Sequence, residues 1–289
     1  PVVPADAARR YEPDYAVDPA TGAGVVVYQR STGGIDTIWA QRLAADGARV
    51  GVEIQVDPGA DGDTQSFPKV VVAPGGAFAV SWREGSIIRL QRFSATGGER
   101  GGGVPAGGVD IGAVLSSPIP PAYDLAMNAA GEFVMVWGRQ TFGQASRLFA
   151  RRFDAAGASS GEFVVASLAP PPPGGFAGQY LDPSVAIADS GAAVVVFHQT
   201  TGGGPRVRAT RIGAPTDPLA PVTAIAEADF NSDLDPEIFM DAAGNAVVVW
   251  ERQNVPTANR SSLWVREFAP NLTPPDGESL VAQNLDLAG

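Results

Sequence analysis

The sequence predicts an all-β protein, a five-bladed β-propeller with four antiparallel strands in each blade. Three observations carry this prediction. First, a pattern recurs five times: an apolar run, then a turn ending in glycine, then a β-branched run closed by an aromatic residue. Second, the sequence has no helical periodicity. Third, 35 Gly and 25 Pro divide the chain into short segments. A repeat of this length marks an array of similar units, and short punctuated segments indicate strands.

The closing aromatic residues set the period of the repeat. They follow one another at steps of 54, 55, 60 and 53 residues: Tyr28, Trp82, Trp137, Phe197 and Trp250. Six residues before each lies a glycine, where a short hairpin loop needs a positive φ: Gly22, Gly76, Gly131, Gly191 and Gly244. Each unit therefore begins with a β-hairpin. Runs such as 247–250 are apolar without alternation, so we expect each sheet to be covered on both faces.

The segments after each hairpin supply a third and a fourth strand. In the first unit these are DTIWAQRL (36–43) and VEIQV (52–56), and the third strands repeat an arginine near their apolar end. Residues 1–289 are predicted to form a single propeller domain, with blades at about 11–64, 65–119, 120–179, 180–232 and 233–289. Residues 1–10 resemble the tail of a preceding unit and are expected to add a ring-closing strand. The alternatives are an open array and a fragment of a larger propeller.

Charge and composition exclude several kinds of partner. The net charge of −11 disfavours nucleic acid and anionic membrane surfaces, and no apolar run is long enough to insert into a membrane. The absence of cysteine excludes disulfides and thiolate chemistry. Because the chain begins at Pro1, we expect a processed or excised form, and a removed signal peptide is compatible with it.

The repeat pattern, VAxxxxGxfVVVW followed by AQRFdaxG and GxEFxV, is carried best by residues 126–165, 185–197 and 239–250. It resembles the repeats of large secreted and surface proteins of bacteria, which are interpreted as propeller-type modules. The resemblance covers about residues 11–285 and implies extracellular binding or adhesion. In 241–250 the gap between glycine and tryptophan is too long for the Asp box of sialidases, and the WD dipeptide of WD-repeat propellers is absent. We therefore expect the properties of neither sialidases nor WD-repeat proteins here.

Irregular loops indicate where a ligand would bind. In a four-stranded blade the loop between strands two and three and the loop between blades emerge at one end, and these vary in length, whereas the tight turns emerge at the other. The second residue past each closing aromatic lies at this loop-rich end: Arg30, Glu84, Arg139, Gln199 and Arg252. The arginines either surround the axis and hold a carboxylate or sulfate, or are solvated or paired with acidic neighbours.

Further candidates lie on the same face. Residues 170–176 place four prolines before Phe176, with Tyr180 beyond, as a stiff lip that serves either as a spacer or in binding. The repeated tryptophans are expected in the core, whereas Trp39 and Trp264, on third strands, are candidate sugar platforms.

The segment DFNSDLDPE has acidic or amide side chains at odd positions, as calcium loops do: Asp229, Asn231, Asp233, Asp235 and Glu237. Leu234 replaces the turn glycine and Pro236 is unusual there, so an Asp-rich surface loop is the alternative. Apart from this Ca²⁺ candidate, no cofactor is expected.

His198 is the sole histidine and directly follows a closing aromatic. The other blades have different residues at this position, so the repeat itself does not require a histidine there. One histidine without cysteine makes a His-rich zinc site implausible, and no nucleophile-elbow motif is present. Paired carboxylates for glycoside hydrolysis remain open among the 31 acidic residues.

These observations predict a non-enzyme: a secreted or cell-surface bacterial module, extracellular or periplasmic and lectin-like, that binds glycan or protein through its loop-rich face. The alternatives are a carbohydrate-active enzyme, hydrolase or lyase, with carboxylates in the axial channel, and a structural module of a larger surface protein. Nothing in the sequence specifies the ligand or the oligomeric state.

Overall fold

The structure is a computed structural model, and all regular structure in its described part is β-strand. It describes residues 9–56, 64–85, 87–100, 109–110, 123–139, 146–168, 179–201, 204–213, 220–226, 232–253, 260–274 and 276–286. The chain divides into two compact units, which are described separately. Unit one is residues 1–112 with the short pieces 118–121 and 129–131, and unit two is the remainder. No helix long and apolar enough to cross a membrane occurs in the described ranges.

Unit one contains the first two blades. The strands of blade one are β1 (Arg9–Val17), β2 (Gly24–Thr32), β3 (Ile35–Leu43) and β4 (Arg49–Gln55). Those of blade two are β5 (Gln65–Val72), β6 (Phe78–Glu84), β7 (Ile87–Phe93), β8 (Glu99–Arg100) and β9 (Val109–Asp110). The outer strand of blade two is split, because β8 and β9 pair with different parts of β7.

Unit two contains the other three blades. Blade three has β10 (Tyr123–Met127), β11 (Phe133–Arg139), β12 (Arg147–Phe153) and β13 (Phe163–Ser167). Blade four has β14 (Gln179–Ile187), β15 (Ala193–Thr201), β16 (Gly204–Ile212) and β17 (Thr223–Ala224). Blade five has β18 (Ser232–Met240), β19 (Ala246–Gln253), β20 (Arg260–Phe268) and β21 (Ser279–Asp286).

Every blade is an antiparallel meander in which neighbours in sequence are neighbours in the sheet, except that β8 and β9 of blade two both pair with β7. The repeated hairpin glycines have positive φ, as predicted, with Gly244 at 93° and Gly76 at 82°. Within each unit the first strand of a blade packs against the first strand of the next, so we call β1, β5, β10, β14 and β18 the inner strands. The end at which the chain enters an inner strand, opposite the tight turn, is called the entry end.

Four inner strands carry the same bulge, and it lies opposite the closing aromatic. In blade four Leu181 pairs with His198 and Ser184 with Val196, so two residues of β14 face the single residue Phe197. The first bulge residue has a positive φ although it is not glycine, and a proline follows it. The residues in this bulge slot are Glu12 (φ 50°), Phe67 (φ 53°), Asp182 (φ 45°) and Asp235 (φ 46°). Such conformations cost roughly 1–3 kcal/mol each and persist only where the surrounding structure enforces them.

The second strand is buried from both sides in blades two, three and four, as its apolar run predicts, whereas in β19 of blade five Val247 and Val249 are only half-buried. In blade four Val195 and Phe197 pack in a cluster with blade three, while Val194 and Val196 pack in a cluster with blade five. All five closing aromatics are buried, with Trp250 fully so, which confirms the prediction that the repeated tryptophans belong to the core. Burial of alternate residues on opposite faces explains why the runs are almost wholly apolar, although blade two accommodates the fully buried Ser81.

The arginine repeated on the third strands joins neighbouring blades. In unit two the Arg152 guanidinium donates to the carbonyl of Gly191 at 2.8 Å, and Arg211 donates to that of Pro270. In unit one Arg42 donates to the carbonyl of Ala95 at 2.9 Å. The sequence showed the repetition of this arginine but not its partner, which lies on the next blade.

Two sequence-based expectations need correction. Residues 9 and 10 begin the inner strand of blade one, and blade five completes its four strands with β21, so the predicted ring-closing strand at 1–10 is wrong for these two residues. Residues 1–8 lie outside the described part. The loop between strands two and three of blade one, expected among the irregular loops, is reduced to two glycines between β2 and β3, because the hairpin continues to the pair Thr32–Ile35.

Stability in acid is expected to depend on Asp18, at the first hairpin turn. Its buried carboxylate accepts hydrogen bonds from the Ala20 amide at 2.8 Å, the Thr21 hydroxyl at 2.9 Å and, on the next blade, the Gly75 amide at 3.0 Å. These bonds, the Ala20 amide first among them, hold the pKa of Asp18 below its usual range. A lowered pKa in the folded state means that this stabilisation is complete above about pH 4 and is lost as the pH falls further.

In urea titrations from neutral pH to about pH 2, the wild type should therefore lose stability more steeply than Asp18→Asn. Parallel pH profiles for the two proteins would show that Asp18 does not contribute in this way.

Candidate functional site

Blades four and five bring three polar side chains together at the entry end of their inner strands. Asp182 and Asp235 occupy the bulge slot of β14 and β18, and His198 lies on β15 directly after the closing Phe197. One ligand atom from each residue can be chosen so that all three lie within 4.8 Å of one another. We call Asp182, His198 and Asp235 the entry-end cluster.

The three members differ in burial. The His198 side chain is only 6% exposed and lies behind Asp182, whose side chain is 37% exposed, while Asp235 is at the surface. The Nδ1 atom of His198 faces an Asp182 carboxylate oxygen at 3.2 Å but, among the described residues, makes no hydrogen bond. The buried imidazole therefore faces the Asp182 carboxylate with one nitrogen, and the Asp235 carboxylate lies close by in the same cluster.

Burial also sets the protonation of the cluster. It lowers the pKa of His198, and this lowering is larger than the rise that the two carboxylates cause. The neutral imidazole, which has a free lone pair, is therefore favoured. Burial raises the pKa of Asp182, and the like charge of Asp235 raises it further while His198 opposes both. Among the described residues neither carboxylate has an arginine or lysine in ion-pair contact, so the cluster carries uncompensated negative charge when both are ionised.

The same slot in unit one shows what a purely structural carboxylate does there. Glu12 turns to the neighbouring blade and accepts the backbone N–H of Phe67 at 2.9 Å. Two residues further along, Asp14 accepts the N–H of Val70 at 2.8 Å. Within the described residues Asp182 makes no such bond to blade five; the residue that joins these inner strands is Ser184, which accepts the Ile238 N–H at 3.2 Å. Asp182 is thus available for another role.

The calcium-loop interpretation of 229–237 is wrong for the part that the structure describes. Residues 232–240 form strand β18, and their carboxylates go to three different places. Asp233 pairs with Arg252 at 2.7 Å, Asp235 joins the entry-end cluster, and Glu237 accepts the Ser184 hydroxyl at 2.7 Å. In a regular strand, residues two positions apart share a face but lie roughly 7 Å apart, and the bulge at 235–236 also breaks their alignment, so the odd spacing does not bring these carboxylates to one ion. Asp229 and Asn231 lie outside the described residues.

The three candidate arginines are held within their own blades. Each guanidinium lies over an aromatic ring of the third strand and pairs with a glutamate beyond it. The sets are Arg30 with Trp39 (4.6 Å to the ring centre) and Glu53 (3.6 Å), Arg139 with Phe149 (4.3 Å) and Glu162 (2.8 Å), and Arg252 with Trp264 (4.5 Å) and Glu278 (3.0 Å). Pairing with acidic neighbours, the alternative to an anion-binding ring, is therefore what the structure shows.

The other candidates lie apart from the cluster or outside the described residues. Glu84 pairs with Arg89 at 2.8 Å, and Gln199 is half-buried on β15. Trp39 and Trp264 are half-buried beneath their arginines, and each indole donates to a hydroxyl on its own strand, which leaves little open face for a sugar. Phe176 and the side chain of Tyr180 lie outside the described part.

Sequence reasoning identified His198 and Asp235 but missed Asp182. A signal was present, because an acidic residue precedes the proline that opens three of the five repeats: Glu12, Asp182 and Asp235. What the sequence did not reveal is the bulge, which places Asp182 opposite the closing Phe197, with its carboxylate 3.2 Å from Nδ1 of the following His198. His198 and Asp182 are sixteen positions apart in sequence but neighbours across the β14–β15 pair.

Comparisons with known proteins show the fold. A scan of protein-family models and a search of curated sequences both give no match. A protein of unknown function from Dyadobacter fermentans has a TM-score of 0.58 at 10% identity, over 95% of this chain and 83% of that chain. An α-L-arabinanase from Penicillium chrysogenum, complexed with arabinobiose, also has 0.58, at 11% identity over 95% and 81%. The polysaccharide lyase Uly1 has 0.52, at 10% identity over 92% and 71%.

Together with the five sheets, these similarities confirm the predicted class, an all-β five-bladed β-propeller. They overturn the prediction that the protein is not an enzyme, since two of these three structures are of carbohydrate-active enzymes. That prediction depended on the absence of a local catalytic motif. Residues on separate strands and blades leave no such motif, as the entry-end cluster illustrates.

Proposed function

We propose that this chain is a carbohydrate-active enzyme that binds a glycan at the entry end of blades four and five and cleaves it, by hydrolysis or by elimination. The observation that carries the proposal is the entry-end cluster, in which two carboxylates and an imidazole converge without a described cationic partner. Carboxylates and imidazole accept hydrogen bonds from sugar hydroxyls and are the usual groups for proton transfer.

The position of the cluster supports the same function. Asp182 and Asp235 are accessible at the surface, while His198 lies behind them, so a sugar would reach the carboxylates first. The end of the blades on which they lie is the one predicted to bear the irregular loops. The arabinanase with the same fold was solved with arabinobiose bound, and this supports a glycan as the partner.

The short distance between the carboxylates limits the chemistry. An inverting hydrolase keeps its two carboxyl groups roughly 6.5–9.5 Å apart to admit a water molecule, whereas the cluster brings its ligand atoms within 4.8 Å. We therefore do not assign Asp182 and Asp235 as an inverting pair. In our proposal the two carboxylates bind the same sugar residue and act on it together.

The setting that we propose is the bacterial cell surface or the medium, where polymeric glycans are met. The resemblance of the repeats to those of secreted and surface proteins supports this. A net charge of −11 fits a neutral glycan better than a strongly anionic one, which the surface would repel.

The test is incubation of the protein with arabinan, xylan and uronate-containing polysaccharides, with separate assays for new reducing ends and for unsaturated products. Asp182→Asn and Asp235→Asn should each lower the rate by about 100-fold or more, the usual size of an acid–base contribution. Glu267→Gln removes one exposed charge from blade five and should leave the rate unchanged. Turnover that survives both Asp variants, or binding of these glycans without any turnover, would contradict the proposal.

A further inference from the structure

We propose that Asp182, His198 and Asp235 form a binding site for one divalent transition-metal ion of the Zn²⁺ type. This inference goes beyond the proposed function and does not depend on it, because ion binding is measured without a glycan. It starts from the polar atom that the fold leaves unsatisfied in the entry-end cluster.

The unsatisfied atom is Nδ1 of His198. The residue is 5% exposed, and within the described chain this nitrogen makes no hydrogen bond. Buried polar atoms nearly always have a partner, and an exception calls for an explanation. Here the nitrogen lies 3.2 Å from an Asp182 carboxylate oxygen, in a cluster that also contains the Asp235 carboxylate. Two carboxylates with an imidazole form a frequent donor set for divalent metals.

The distances suit a first-row ion. Ligands about 2.1 Å from a tetrahedral Zn²⁺ lie about 3.4 Å from one another, and the separation from His198 Nδ1 to the Asp182 oxygen is 3.2 Å. The widest separation in the cluster is no more than 4.8 Å. Asp235 is exposed, so its side chain has the freedom to move inward and complete the set.

The charges also favour a cation. The two carboxylates repel each other at this distance, and no described arginine or lysine lies in ion-pair contact with either. Elsewhere in unit two the chain supplies arginine to close carboxylates, as it does for Asp233 and Glu278 through Arg252. A divalent ion would satisfy both carboxylates and the imidazole at once.

Nitrogen among the ligands decides which ion fits. Ca²⁺ and Mg²⁺ prefer oxygen donors alone, whereas imidazole suits zinc and its first-row neighbours. Three protein ligands leave at least one coordination position open, as in catalytic rather than structural zinc sites. The exposed side of the cluster, where Asp235 lies, is where a water molecule or a substrate hydroxyl would enter.

The chain offers a direct readout, because His198 is its sole histidine and it has no cysteine. With any affinity tag removed, the imidazole resonances of the protein belong to one residue. Adding ZnCl₂ to the metal-free protein should shift both imidazole nitrogen signals up to one equivalent, and MnCl₂ should broaden them. CaCl₂ at the same concentration should leave them unchanged, and a chelator should reverse the zinc effect.

Titration calorimetry with ZnCl₂ tests the ligand set. Asp182→Asn, Asp235→Asn and His198→Gln should each weaken binding at least tenfold, while Glu267→Gln, the matched charge change on blade five, should bind as the wild type does. His198 signals that do not respond to Zn²⁺ would overturn the proposal, and so would equal zinc affinity in wild type and both Asp variants. If His198→Gln does not fold, the response of the wild-type His198 signals to Zn²⁺ still tests the proposal.

Discussion

Replacement of Arg252 by alanine is expected to destabilise the protein by about 3–5 kcal/mol. Arg252 is 4% exposed, and its guanidinium donates to Asp233 at 2.7 Å and to Glu278 at 3.0 Å while it covers the ring of Trp264. Hydrogen bonds to these two carboxylates raise the pKa of Arg252 despite its burial. Its removal would deprive Asp233, which is fully buried, of the ion pair at 2.7 Å.

Arg139 provides the matched control, because it occupies the same slot in blade three. It also lies over an aromatic ring and pairs with a glutamate, but both partners of that ion pair are about a quarter exposed. Arg139→Ala should therefore cost about 1 kcal/mol or less. Urea unfolding followed by circular dichroism measures both variants, and equal losses would show that burial of the ion pair does not control its contribution.

Trp250→Ala is expected to cost about 3–5 kcal/mol, the range for removal of a large aromatic side chain from a core. Trp250 is fully buried and belongs to the same apolar cluster as Val196 and Ile225 of blade four. The side chain therefore joins two blades, and the cavity would open between sheets, each held by its own hydrogen bonds. Little relaxation is possible there, which places the expected loss toward the upper end.

Phe239 in the same blade is the control, because its side chain is 64% exposed. Phe239→Ala should change the free energy of unfolding by no more than about 0.5 kcal/mol. A Trp250→Ala protein with wild-type stability in the same urea titration would show that the closing aromatic does not hold neighbouring blades together.

Local chemistry accounts for the parts of the fold that sequence reasoning predicted correctly. A glycine six positions before each aromatic marks a turn with positive φ, and an unbroken apolar run marks a strand covered on both faces. Both signals lie within about ten residues, where spacing in sequence and in space are almost the same. The repeated arginine of the third strands was visible too, but the acceptor carbonyls of Ala95, Gly191 and Pro270 lie 39 to 59 residues away from it in sequence.

The candidate site could not be predicted from local sequence patterns in this way. Asp182 precedes a proline, a sequence typical of a turn. In the structure Asp182 instead begins a bulge, with φ at 45°, and its carboxylate lies against His198. The odd spacing of acids at 229–237 suggested one ion-binding loop, but a strand with a bulge directs Asp233 and Asp235 to different partners. Similarly, the arginine after the closing aromatic is partly exposed in blade three (Arg139) and buried in blade five (Arg252).

By itself, therefore, the sequence determined the number of blades, their hairpins and the residues that fill the space between sheets, because strand period and turn conformation are properties of consecutive residues. Only the tertiary structure decided which polar residues meet. Asp182 and Asp235 belong to different blades, and His198 to another strand of the first, so their convergence depends on the packing of inner strands and on the bulge in each. Distances across a blade boundary are set by that packing, which no local pattern in the chain records.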